Sequence, residues 1–185
     1  MSRNRILRDK LQGFAVEYYV ANVLTRNGCL VRTVPEDSTT GFSLLCETDE
    51  NSRGKREPFQ HFWVHVRTGD RVSLIEPGKQ ASCLFKAKEL LYWARQPIPV
   101  YAFLIPEYSS ASLPDTIYIV DLSGHLTDLQ IPMDKDRLTL RSNRLIHPES
   151  EEDCRRFLSS IAIESEVPTF TSDVVEEIAL PKPAQ

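Results

Sequence analysis

The side chains best able to do chemistry fall in three short stretches. The first is Phe14-Ala-Val-Glu-Tyr-Tyr-Val-Ala-Asn-Val-Leu24, in which Glu17 is the only charged residue. A carboxylate among so many apolar neighbours either loses its water and needs a partner, or reaches past its flank to solvent. The second is Phe59-Gln-His-Phe-Trp-Val-His-Val-Arg67. Alternation along a strand puts Phe62, Val64 and Val66 on one face and His61, Trp63, His65 and Arg67 on the other. The second face offers imidazole, a guanidinium and a stacking ring. His61 and His65 are four residues apart, about 13 Å along a strand, so they cannot share one metal ion. The third stretch is Phe42-Ser-Leu-Leu-Cys-Glu47, where Ser43, Leu45 and Glu47 share a face. Glu47 either reaches a common site or ends its strand in solvent, and solvent is the expectation beside a charged loop.

These side chains need elements to hold them. Leu7, Leu11, Phe14, Tyr18 and Ala21 recur at spacings of three and four, which predicts a helix over residues 6–27 with that stripe as its core face. Gly28 suits the left-handed position past its end. Short strands are expected over 29–34, 42–48 and 59–67, with polar loops between them. A second helix is expected over 79–95, with Pro97 beyond its end and Tyr92-Trp93 giving one packed and one exposed ring. Residues 99–105 form a nearly unbroken apolar run, as in a central strand covered on both faces. A strand over 117–121 pairs with it, and 138–140 is a short edge strand. Ser150 and three acids open a third helix to residue 163. The expected fold is α/β, leaning to α+β, with a mixed central sheet flanked by helices. One domain spans 1–163, followed by an acidic, flexible tail over 164–185.

Several pieces recur together in order: Gly13-Phe-Ala-Val-Glu17, Gly41-Phe-Ser43, His65-Val-Arg67, Tyr92-Trp93 and Pro99-Val100. This set resembles the PD-(D/E)XK, or restriction-endonuclease-like, superfamily. Within it the set is similar to an uncharacterised bacterial group patterned as G-x-x-A-E on a helix, G-I-D and Q-V-K on strands, then Y-W before a P-V strand. The resemblance implies a restriction-endonuclease-like core and metal-dependent phosphodiester chemistry. In active members acids hold Mg²⁺, and a Lys positions the attacking water. Here the strand acid is Ser43, a poor Mg²⁺ ligand. The next position is His65, a softer ligand than a carboxylate. The Lys is Arg67, which keeps its charge and cannot give up a proton. Only Glu17 is intact, and Asp37 is a candidate substitute in the preceding loop.

Glu17, Ser43, His65 and Arg67 are therefore expected to form a degenerate catalytic centre. Arg67 and Trp63 remain candidates for contacting phosphate or a base. The expected function is a catalytically inactive nuclease-fold subunit that binds or assembles in nucleic-acid processing or defence, without a cofactor. The alternative is an active endonuclease whose Mg²⁺ or Mn²⁺ is held by Glu17, Glu47 and His65.

Charge and composition narrow the partners. The 185-residue chain has net charge −4. Glu164, Glu166, Asp173, Glu176, Glu177 and Lys182 place that entire excess after residue 163. A neutral body gives no broad field for phosphate, so a protein partner or a second copy is expected ahead of nucleic acid. Local basic clusters occur at Arg3–Lys10, Arg53–Arg56 and Arg137–Arg144. Cys29, Cys46, Cys83 and Cys154 form no C-x-x-C pair, and reduced, buried thiols are expected. The seven glycines make no phosphate-binding loop. No leader or membrane span is read from the sequence, so the expected location is the cytoplasm.

Overall fold

The computed structural model describes residues 3–34, 41–48, 60–106, 113–123 and 136–164. Asp37, the loops over 35–40 and 49–59, and the tail from 165 on lie outside the described residues. The fold is α/β. A six-stranded mixed sheet carries helices on its faces, with a second, three-stranded sheet beside it.

Helix α1 (Arg3–Arg26) is followed by β1 (Cys29–Thr33), β2 (Leu44–Thr48) and β3 (His61–Thr68). The three strands form an antiparallel meander. Gly28 takes φ 90°, the left-handed conformation expected at the helix end. Strand β6 (Val100–Ile105) then runs parallel to β3. Parallel neighbours need a long crossover. The chain uses it to build β4 (Val72–Glu76), β5 (Gln80–Lys86) and α2 (Ala87–Ala94). Strand β7 (Ile117–Asp121) pairs antiparallel with β6, as the sequence suggested, and β9 (Leu145–Ile146) closes that edge. Strand β8 (Arg137–Ser142) is longer than expected and joins β5 in the small sheet. Helix α3 (Glu151–Glu164) begins at Ser150, whose hydroxyl accepts the Asp153 N–H at 3.2 Å.

Two expectations are corrected. Residues 79–95 are not one helix. The Pro77-Gly78 turn starts a hairpin, and Ala81, Cys83 and Phe85 are buried at every second position through β5. Tertiary pairing with β4 and β8 overrides the apolar content that reads as helix. The middle of the stripe on α1 also does not face the core, although Ala21 packs against it. Leu11, Phe14 and Tyr18 are 59%, 41% and 64% exposed, while Val16, Val20, Val23 and Leu24 are buried. The helix carries two apolar faces, and the β-branched one packs inward.

The large sheet is covered on both sides. Phe62, Val64, Tyr101, Phe103 and Ile105 meet α1 and α3 on one face. Val100, Ala102, Leu104, Tyr118 and Val120 meet the small sheet and α2 on the other. All six residues of β6 are buried accordingly. The Gly78 N–H donates to the Tyr118 hydroxyl at 3.0 Å, and the Ser142 hydroxyl donates to the Ile119 carbonyl. These bonds tie the two sheets together beyond their packing. All four cysteines are buried and none forms a disulfide. Among the described residues, no helix is long and apolar enough to cross a membrane.

Gly13 sits inside α1, where a Cβ would meet nothing within 4 Å. Close approach to the sheet therefore does not explain it. Gly13→Ala is expected to stabilise the fold by about 1 kcal/mol, from helix propensity alone. A urea titration that finds no rise in midpoint would contradict this reading of the helix.

Candidate functional site

Strand β3 alternates as its sequence indicates. Phe62 and Val64 enter the α1 layer, with Val66 packed against it. Trp63, His65 and Arg67 turn to the layer of α2 and the small sheet. That polar, aromatic face is not an open groove, because β5 and α2 lie over it.

His65 is the centre of this layer. Its ring lies 4.7 Å from that of Trp93 and 6.5 Å from that of Phe85. Its Nδ1 hydrogen-bonds the Gly41 carbonyl, so Nδ1 carries the proton and Nε2 is the bare acceptor. Gly41 has φ 69°, which aims its carbonyl inward. A Cβ there would lie 3.6 Å from the Trp93 ring. Burial, then the charges of Arg67 and Arg71, hold the imidazole down to about 3, with the Gly41 bond opposing them. His65 is thus neutral near pH 7. Its Nε2 is buried and has no hydrogen-bond partner among the described residues.

Arg67 is 14% exposed and donates from Nη2 to Glu89 Oε2 at 3.2 Å. Its guanidinium stands 5.7 Å from the centre of the Phe85 ring. Burial lowers the Arg67 pKa and Glu89 raises it. Lys86 adds a second cation to Glu89 at 3.5 Å. Cys83 is close by, and burial pushes its thiol up to about 11 despite Arg67 and Arg71. It is a protonated thiol, not a nucleophile.

Ser43 occupies the strand-acid position as a structural hydroxyl. It is 6% exposed, and its Oγ accepts the Val66 N–H at 3.2 Å. Its own N–H donates to the Val64 carbonyl at 2.9 Å. Trp63 stacks on Phe42 with centroids 4.6 Å apart and planes at 7°. Arg67 and Trp63 are thus both engaged within the chain. Trp93 is buried and Tyr92 half-exposed, as the sequence indicated.

The remaining candidates lie elsewhere. Glu47 is not left in solvent; its carboxylate is 24% exposed and sits 3.5 Å from His61. It pairs across the ladder with His61, four residues along β3 from His65. At about 13 Å along the strand, Glu47 and His65 do not share a metal. Glu17 is half-buried on α1, and its neighbours Val16 and Val20 pack on the opposite face of the sheet. Its carboxylate and the His65–Arg67 pair belong to different layers. Among the described residues, no three His, Cys, Asp or Glu side chains group as a metal site.

Sequence reasoning missed Glu89, Phe85 and Cys83, which complete the layer. Reading 79–95 as one helix hid them. The signal was present in the Pro77-Gly78 turn and in the two-residue period of Ala81, Cys83 and Phe85.

No family model matches the chain, and no curated protein or solved structure matches it.

Two outcomes follow from this geometry. The folded His65 resists protonation that the unfolded chain accepts below its ordinary value near 6.5. The unfolded state then binds more protons, so this contribution is full above pH 6.5 and is lost as pH falls toward 3. The slope is at most about 1.4 kcal/mol per pH unit. His65→Gln should flatten the fall in urea midpoint between pH 7 and pH 5 relative to wild type. An unchanged difference between those midpoints would show that His65 is not buried neutral. Glu89→Ala strands Arg67 in a mostly buried site and should cost about 2 kcal/mol. Arg67→Met with Glu89→Leu should recover most of that loss in thermal melts.

Proposed function

We propose that this chain is a catalytically inactive nuclease-fold protein of the PD-(D/E)XK type. It works in the cytoplasm as a binding or assembly subunit in nucleic-acid processing or defence. The observation that carries the reading is the closure of the motif layer. His65 is buried and neutral, and Arg67 is spent on Glu89. A hydrated Mg²⁺ needs several oxygen ligands and an open face for phosphate. The layer contains one carboxylate, already held between Arg67 and Lys86.

The placement of the motif pieces supports the ancestry. Gly41 and Ser43, His65, and Trp93 come from three separate stretches and meet around β3. Gly41 bonds His65, Ser43 bonds the Val66 N–H, and Trp93 packs on the imidazole. The mixed sheet flanked by helices is the architecture the resemblance implies. Glu17 is the exception, because its layer is opposite.

Incubation with supercoiled plasmid, single-stranded DNA and RNA, in Mg²⁺ or Mn²⁺, tests the reading. No cleavage above a Glu17→Ala control is expected. Metal-dependent cutting that disappears with Glu17→Ala would instead assign an active endonuclease with a rearranged centre.

A further inference from the structure

The small sheet has one face in the core and one toward solvent. Cys83 pairs with Leu140 and Phe85 with Leu138 on the inner face. The alternate pairs turn outward: Ser82 with Arg141, Leu84 with Thr139 and Lys86 with Arg137. Of these six, only Ser82 is buried. Arg137 and Arg141 lie four residues apart on β8, about 13 Å along the strand. Among the described residues, neither is held in an ion pair. Lys86 stands 3.5 Å from Glu89, but Glu89 also serves Arg67, so one positive charge of the three is left over. The acid on this face, Glu76, sits at the hairpin end opposite Gln80 and is neutralised by Lys79 at 2.5 Å. Even with the exposed Asp136 just before β8 counted in full, the face stays net positive. Lys86 and Arg137 are direct ladder partners, and like charges so placed weaken a sheet. An anion laid across them removes that cost.

Charge and spacing select the occupant. A single small anion cannot touch two guanidiniums about 13 Å apart. Each strand of duplex DNA carries a phosphate every ~3.4 Å of its axis, so a backbone laid along β8 meets both. Guanidinium groups and a hydroxyl such as that of Thr139 are phosphate donors. The outward residues include no aromatic ring, so the stacking platform that single strands use is missing. Among the described residues no helix stands on the face to enter a groove. Contact therefore stays on the backbone and carries no sequence preference. The neutral body keeps the attraction short-ranged, within a Debye length of about 10 Å.

We propose that the outer face of the small sheet, through Arg137 and Arg141, binds the phosphate backbone of duplex DNA without sequence preference. This rests on the binding-subunit reading above and names its ligand and surface. The two fail separately. Plasmid cleavage would end the inactive-nuclease reading and leave this surface standing, whereas absence of binding would remove the surface alone.

Fluorescence anisotropy of a short labelled duplex over a salt series tests it. Binding with a Kd on the order of 10⁻⁵ M is expected at low salt. The logarithm of the association constant should fall against the logarithm of salt with a slope near −2, about −0.9 for each arginine contact. Arg137→Ala or Arg141→Ala should make that slope shallower by about one and weaken binding several-fold. Thr139→Glu puts a carboxylate between the arginines and should abolish binding. All three positions are exposed, so circular dichroism should not change. Arg155→Ala, on the exposed side of α3, should bind as wild type does. Four results overturn the proposal: no binding at low salt, a loss in the β8 variants no greater than in Arg155→Ala, a matching single strand bound as tightly as the duplex, or a labelled poly-glutamate peptide bound as tightly as the duplex.

Discussion

The middle of strand β3 lies between two packed layers, and the surroundings of His65 follow from having no wet side there. Phe62 and Val64 meet that condition at no cost. His65 and Arg67 do not, since a buried polar group must be neutral or paired. The imidazole is neutral, with one nitrogen bonded to Gly41 and its faces against aromatic rings. The guanidinium is paired with Glu89 and covers Phe85. Gly41 suits its place because it turns left-handed there, at φ 69°. Helix α2 must begin where Glu89 reaches back across β5. The small sheet is the lid that makes these requirements binding.

Much of the large sheet was legible in the sequence. The alternation of β3, the apolar run of β6 and the glycine after α1 are local signals, and local signals survive folding. Two elements were lost to one cause. The order Ala81-Ser-Cys-Leu-Phe85 has enough apolar residues for a helix, and its period of two is short. Only pairing with β4 and β8, distant in sequence, decides between the readings. With β5 misassigned, Glu89 had no route to Arg67, so the ion pair that closes the site could not be foreseen. The stripe on α1 failed differently. Periodicity reports that a face is apolar; it does not say which of two apolar faces meets the sheet. Val16, Val20 and Val23 win because β-branched side chains pack compactly on a pleated surface, whereas Phe14 and Tyr18 are bulky.

If the chain derives from a nuclease, as proposed, its departures from that pattern amount to one physical change. An Asp, a Glu and a Lys around Mg²⁺ form a charged, hydrated centre that must stay open to a phosphate. Ser43, His65 and Arg67 leave one charge in the layer, and Glu89 matches it. A layer whose buried guanidinium is paired and whose imidazole is neutral can be shut. Ser43 shows the exchange at one atom, because its hydroxyl takes the Val66 N–H inside the sheet. Restoring a single carboxylate at position 43 would not rebuild a metal site. It would place a carboxylate in a buried position whose present hydroxyl is held by the Val66 N–H.

On the proposed reading, a closed β3 layer leaves the outer surface to do the chain's work. A neutral body offers little long-range attraction for nucleic acid. The outer surface must then act at short range, through shape, apolar area and local charge. Among the described residues, helix α1 has the most exposed large apolar side chains on one element, and its inner valines pack on the sheet. A mobile segment would have to be ordered on binding and would lose affinity for it. A helix already packed on the sheet has that ordering in place before a partner arrives. The core that closes the β3 layer is therefore the same core on which α1 is held.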